Sequence, residues 1–117
     1  DIYAHLLPKL RDLDVEEAYV ILLNNNFKHI KTVRLSHGGI TETAVDVRLI
    51  MKEAVLCNAT VVALAHNHPS GNTQPSGNDD QITKQVKHAC ETMRLHFLDH
   101  LIVTDGAYYS YRENGRV

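Results

Sequence analysis

Cysteine is scarce in this chain: Cys57 and Cys90 are the only two among 117 residues. They form no C-x-x-C arrangement. Each falls inside or at the end of an expected helix, where a thiol reads as a small buried hydrophobe. Nothing at this size calls for a disulfide, so a reducing cytoplasm is the expected compartment. Neither charge sign dominates, with 12 Lys and Arg against 14 Asp and Glu for a net charge of −2. That excludes a basic footprint for nucleic acid. Long apolar runs are missing too, and the longest are far short of the ~20 residues a membrane helix needs. The start, Asp1-Ile2-Tyr3-Ala4-His5, has neither the basic n-region nor the apolar h-region of a secretory leader. No initiator Met is present, and the expectation is a fragment of a longer chain. The remainder is ordinary: 44% apolar and 22% charged residues argue against disorder and against a fibre. Residues 1–117 are enough for one domain with a real core.

What the chain does have is histidine, eight in all. His5, His29, His37, His88 and His96 read as surface or cap residues. Two others stand apart, in the run His66-Asn67-His68-Pro69-Ser70-Gly71. They follow an apolar stretch, Thr60 to Ala65, that reads as a buried strand. Residues i and i+2 of a strand point to one face, so the two imidazoles can converge at the strand's end. Eleven residues beyond His68 comes Asp79, where a helix is expected to begin. Two His and one Asp are three ligands, the usual set for a catalytic zinc that keeps a fourth position open. Taken singly, each of these histidines would read as a solvated or satisfied imidazole. The pair with a following carboxylate favours a metal.

The pattern around this run sets the expected architecture. Ile2 to Arg11 reads as a short helix disturbed at Pro8. Asp12 to Asp14 is a turn. Ala18 to Leu23 is an apolar strand, and Asn24-Asn25-Asn26 turns into a partner from Phe27 to Leu35 that ends before Gly38-Gly39. Asp46 suits the N-cap of a helix from Val47 to about Asn58, with Val47, Ile50, Met51, Ala54 and Val55 at helical spacing. Asn67 to Pro75 is a loop by its Pro, Ser, Gly and Asn content. A helix runs from Ser76 or Gly77 to Met93. Phe97 to Thr104 and Ala107 to Tyr111 are strands joined at Asp105-Gly106. Glu113 to Val117 stays unassigned. Hairpins mixed with helix-linked crossovers predict an α/β fold, a mixed β-sheet flanked by helices. Sites in such folds often lie beyond strand ends, where His66 and His68 fall.

Ser76-x-x-Asp79 is also a capping box, and capping alone would explain both residues. The two roles are compatible, because a carboxylate in a first helical turn is held in a known direction. A hydroxyl beside it could donate to a developing oxyanion. Hydrolysis by a metal-activated water still needs a group to move the water's proton. Glu16 and Glu17 open an otherwise apolar strand, an odd place for carboxylates unless the strand entrance is solvated. Glu42, Glu53, Glu91 and Glu113 fit helix, loop or tail surfaces better.

His66-x-His68-x7-Ser76-x2-Asp79 resembles the JAMM motif of MPN-domain metalloproteases at every defined position. The wider text resembles the RadC family in particular: His66 to Gly71, Pro75-Ser76, Val45 to Ala54, and Leu98-Asp99-His100-Leu101-Ile102-Val103. The likeness covers nearly all of residues 1–117. It implies a three-layer MPN (cytidine-deaminase-like) fold, Zn2+ held by His66, His68 and Asp79, and an oxyanion assisted by Ser76. JAMM enzymes take a catalytic Glu from the start of an early strand. Glu16 fits that register better, since Leu23-Asn24 then stands where RadC-like chains have Leu-Asp. Glu17 is the alternative and would point to the opposite face. Asp99-His100 reads either as support behind the site or as a pair at a strand start.

The resemblance implies a zinc-dependent hydrolase, a peptidase or isopeptidase acting on a peptide or protein. RadC-like proteins also carry an N-terminal helix-hairpin-helix region that is absent here, and their name is tied to DNA repair. Two other readings therefore stand beside the enzyme: a catalytically silent MPN scaffold and a DNA-repair-associated accessory module. Direct nucleic-acid binding by these residues is not expected. An HNH nuclease is excluded, because its three residues are spread through a ββα motif. A deaminase needs H-x-E and P-C-x-x-C, and neither is present.

Overall fold

The computed structural model describes residues 16–37 and 45–117. The expected helix at Ile2 to Arg11, the turn after it and the break at Gly38-Gly39 lie outside the described residues. Five strands and two helices follow: β1 (Glu17–Leu23), β2 (His29–His37), α1 (Val47–Leu56), β3 (Val61–Asn67), α2 (Gly77–Thr92), β4 (His96–Val103) and β5 (Tyr108–Ser110). The sheet order is β2-β1-β3-β4-β5. β1 runs antiparallel to both neighbours, β3 and β4 are parallel, and β5 returns antiparallel on β4. This is the mixed α/β sheet expected. A parallel pair needs a crossover connection, and α2 supplies it.

The alternation of each strand divides two cores. Val20 and Leu22 of β1 and Val62 and Leu64 of β3 face both helices, against Ile50 and Ala54 of α1 and Val86 and Cys90 of α2. Ile21, Leu23, Val61, Ala63, Ala65, Leu101 and Val103 form a second apolar cluster. It lies on the other face, as the period of two requires. Among the described residues, both helices lie on the first face. Full burial of one Val, Leu or Ile contributes about 1.5–3 kcal/mol. This packing fixes α2 across the sheet and brings its first turn over the end of β3.

Local chemistry sets the helix ends. Asp46 caps α1, its carboxylate accepting from the Arg48 amide at 2.9 Å. α1 closes at Cys57, one residue short of the expected end, and Asn58 takes a left-handed φ of 56°. Asn tolerates that conformation at a helix exit. Ser76 and Asp79 form the complete capping box of α2. Between β3 and α2 the chain reverses at His68-Pro69-Ser70-Gly71, where the Gly71 amide donates to the His68 carbonyl at 3.0 Å. Proline second and glycine fourth suit such a turn, and Gly71 takes the left-handed φ of 84°.

One irregularity matters for the site. The β3–β4 register steps between Val62 and Ala63, which pair with Phe97 and Asp99 and leave Leu98 as an extra residue. Phe97 packs on the helix side. Without the bulge, Asp99 would follow it there. With it, His100 pairs beside Leu64 and turns to the helix face. Bulges re-aim side chains in this way. Asp99 and His100 are therefore mid-strand residues, which corrects the strand-start reading of that pair.

Candidate metal centre

The register of β1 against β3 builds the site. Ala18 pairs with His66. Antiparallel partners share a face, so Glu16, two residues before Ala18, comes onto the side that carries His66 and His68. The first turn of α2 brings Asp79 from above. Single ligand atoms of Glu16, His66, His68 and Asp79 all lie within 4.8 Å of one another. His66 Nε2 is 3.0 Å from Asp79 Oδ1, and His68 Nε2 is 3.2 Å from Asp79 Oδ2. The two Nε2 atoms are 3.0 Å apart. Glu16 Oε1 stands further off, 3.6 Å from His66 Nε2 and 3.9 Å from His68 Nε2.

These contacts fit a cation. Bonds of ~2.0–2.1 Å in a tetrahedral zinc site place ligand atoms about 3.3 Å apart, close to the spacing of the His–His–Asp trio. The polarity of the outer ring atoms agrees. His68 Nδ1 lies 2.8 Å from the Asn72 carbonyl, which only accepts, so Nδ1 carries the hydrogen. The Nε2 lone pair then turns inward. His66 Nδ1 meets His100 Nε2 at 2.9 Å. Lone pairs and a carboxylate converging in a nearly buried space call for positive charge among them.

Protons answer part of that demand. Burial opposes charge on His68, yet its contacts with Asp79 and Asn72 outweigh this and raise the imidazole pKa above 6.5. Burial likewise works against the Asp79 carboxylate, but His66 and His68 hold its pKa far below the usual range. His100 is driven the other way, first by complete burial and then by His66, and its pKa falls well below 6.5.

Glu17 lies elsewhere. Its carboxylate accepts from the Tyr19 hydroxyl at 3.0 Å and pairs with Arg34 at 3.5 Å, on the opposite face. Both Glu16 and Glu17 are only 5% exposed, which corrects the picture of a solvated strand entrance. Between the two histidines, Asn67 also faces away, and its Oδ1 accepts from the Glu17 amide at 2.6 Å. That bond ties the start of β1 to the end of β3. Ser76 meets the cluster through Asp79. Its amide donates to Asp79 Oδ2 at 2.8 Å, and its Oγ accepts from the Asp79 amide at 3.1 Å.

Four supporting residues, Thr83, Tyr111, Asp80 and Arg116, were not singled out from sequence. Thr83 lies one turn past Asp79, on the buried stripe of α2 that continues to Val86 and Cys90. That spacing was a usable signal. Tyr111 is 1% exposed and stacks on His100, with ring centres 5.0 Å apart and planes 6° from parallel. Its hydroxyl donates to Asp80 at 2.7 Å, and Arg116 joins the same carboxylate at 2.6 Å. The unassigned tail thus packs behind the site.

A mixed α/β sheet with this helix placement is consistent with a JAB/MPN-like fold, and the site is a His/Asp/Glu cluster able to hold a metal ion. A family model described as the RadC-like JAB domain matches residues 1–116, and the chain belongs to that family. Among curated relatives, it is 46% identical over 114 residues to a UPF0758 protein of Porphyromonas gingivalis, covering 97% of this chain and 50% of that protein. A UPF0758 protein of Flavobacterium johnsoniae is 45% identical over 115 residues, covering 98% of this chain and 50% of its own length. UPF0758 protein NTHI1125 of Haemophilus influenzae is 47% identical over 109 residues, covering 93% and 49%. The chain spans about half the length of these relatives. No helix among the described residues is long and apolar enough to cross a membrane.

Proposed function

We propose that this domain is a zinc-dependent hydrolase of the JAMM type, a peptidase or isopeptidase acting on a peptide or protein. The observation that carries the reading is the convergence of His66, His68 and Asp79 at near-tetrahedral ligand spacing, with Glu16 just outside it. His66 Nε2, His68 Nε2 and an Asp79 oxygen would hold the ion. Zinc held there would polarise a carbonyl and lower the pKa of water to about 7. Glu16 would take the proton from that water and return it to the leaving amine. Its near-complete burial keeps its carboxylate out of bulk solvent and in one orientation. Ser76 uses its oxygen to cap α2, so its own hydroxyl hydrogen remains for a developing oxyanion.

Zinc content and turnover test this reading together. The purified chain is expected to bind one zinc and to cleave members of a peptide library, with both properties lost on chelation. A chain that holds no zinc, and whose stability chelation leaves untouched, would sink the proposal in favour of a silent scaffold. The accessory-module reading predicts sequence-independent DNA binding that weakens steeply with salt. The net charge of −2 weighs against it.

A further inference from the structure

Behind His66 runs a line of polar contacts that the motif does not include. His66 Nδ1 lies 2.9 Å from His100 Nε2. His100 Nδ1 lies 2.6 Å from Thr83 Oγ1. Thr83 Oγ1 donates to the Asp79 carbonyl at 2.8 Å. The direction of the whole line follows from its last bond. A hydroxyl has one hydrogen. Once Thr83 gives it to the Asp79 carbonyl, Oγ1 can only accept from His100, so the His100 hydrogen sits on Nδ1. Its Nε2 then has a lone pair and must accept, which places the His66 hydrogen on Nδ1. The far nitrogen of His66, the one 3.0 Å from Asp79, is left with its lone pair directed into the cluster.

We propose that His100, oriented by Thr83, is a positioning residue that fixes His66 in the tautomer able to ligate a metal through Nε2. The inference rests on the metal-binding reading above. The hydrogen-bond contact of His100 with the ligand side chains runs through His66. Its own ring is held between His66, 4.9 Å away between centroids, and the stacked Tyr111. Thr83 and His100 are both buried, at 3% and 3% exposure. Thr83 also returns the line to Asp79's backbone, so one ligand residue anchors the tautomer of another.

The test uses Thr83→Val, which keeps the shape of the side chain and removes the hydroxyl, and Thr83→Ser, which restores it. His100→Phe keeps a ring against Tyr111 and removes both nitrogens. Zinc affinity is measured by chelator competition, and the His66 tautomer by 15N chemical shifts of the metal-free protein in alkaline buffer. Partners of metal-bound histidines typically govern affinity by about 10–100-fold. Thr83→Val and His100→Phe are expected to weaken zinc binding by about that factor. Thr83→Ser should stay near wild type. In the wild type, the His66 hydrogen should sit on Nδ1, and Thr83→Val should spread it over both nitrogens. An unchanged His66 tautomer in Thr83→Val overturns the proposal, even if the variant melts earlier, because a merely structural role moves stability alone. Wild-type protein that binds no zinc defeats the metal reading, while the 15N comparison still decides the tautomer question.

Discussion

Glu16 and Glu17 are neighbours in sequence, equally buried, and opposite in chemistry. Glu17 lies on the face where donors await it, the Tyr19 hydroxyl and the Arg34 guanidinium. Its charge is answered within the protein. Glu16 lies on the other face, beside two imidazole nitrogens and the Asp79 carboxylate. There it joins a His/Asp cluster able to hold a metal ion. The one-residue difference in register separates a carboxylate paired with Tyr19 and Arg34 from one that joins that cluster. Asn67 couples the two, since its side chain holds the Glu17 amide while its neighbours on either side point into the cluster.

The sharpest way to break this contrast is to remove a ligand. His68→Ala should abolish zinc binding, read by metal analysis after dialysis; full zinc occupancy in the variant would remove His68 from the site. Next comes the carboxylate pair itself. Glu16→Gln should keep zinc and lose turnover by about 10²–10⁴, the usual range for a general acid–base. Glu17→Gln should leave turnover nearly unchanged. Full activity in Glu16→Gln, or the reverse pattern between the two, would show that the base is assigned to the wrong residue.

Acidity sharpens the same contrast with a smaller effect. In the metal-free chain, the raised pKa of His68 and the lowered pKa of Asp79 make their contact stabilising above the ordinary carboxylate range. That contribution fades as pH climbs through the raised His68 value. Zinc must displace the His68 proton, so its affinity should fall as pH drops through that value, by about tenfold per pH unit for one proton. Calorimetry in buffers of different ionisation heat would count the proton, and a flat affinity from pH 6 to 8 would contradict this. Smaller still are two stability changes. Ser76→Ala removes the N-cap of α2 and should cost about 1 kcal/mol in urea unfolding. Glu17→Gln trades a charged partner of Tyr19 for a neutral one and should cost on the order of 1 kcal/mol, since Arg34 is largely exposed and its pairing is weakened by solvent.

Much of the fold was open to sequence reasoning because it rests on local rules. Continuous apolar runs placed β1 and β3, Asp46 and Ser76 marked two helix starts, and Pro69 with Gly71 marked the reversal between ligands. Strand ends were the weakest point. β2 begins at His29 and runs to His37, later at both ends than alternation alone implied. Its limits are set by pairing with β1, including two register shifts. The tail from Glu113 to Val117 had no periodicity to read, because its order comes from contacts with α2 through Asp80 and Arg116.

The spacing of His66, His68, Ser76 and Asp79 is a property of the sequence alone. Two residues along a strand share a face, and three residues into a helix share a turn, whatever surrounds them. Which glutamate joins them is different. It depends on β1 pairing with β3 so that Ala18 meets His66. His100 depends on more, a single extra residue at Leu98 that turns the end of β4 over. Pairing register and bulges are settled between strands distant in sequence. No local pattern encodes them, and only the assembled sheet decides what stands behind the histidines.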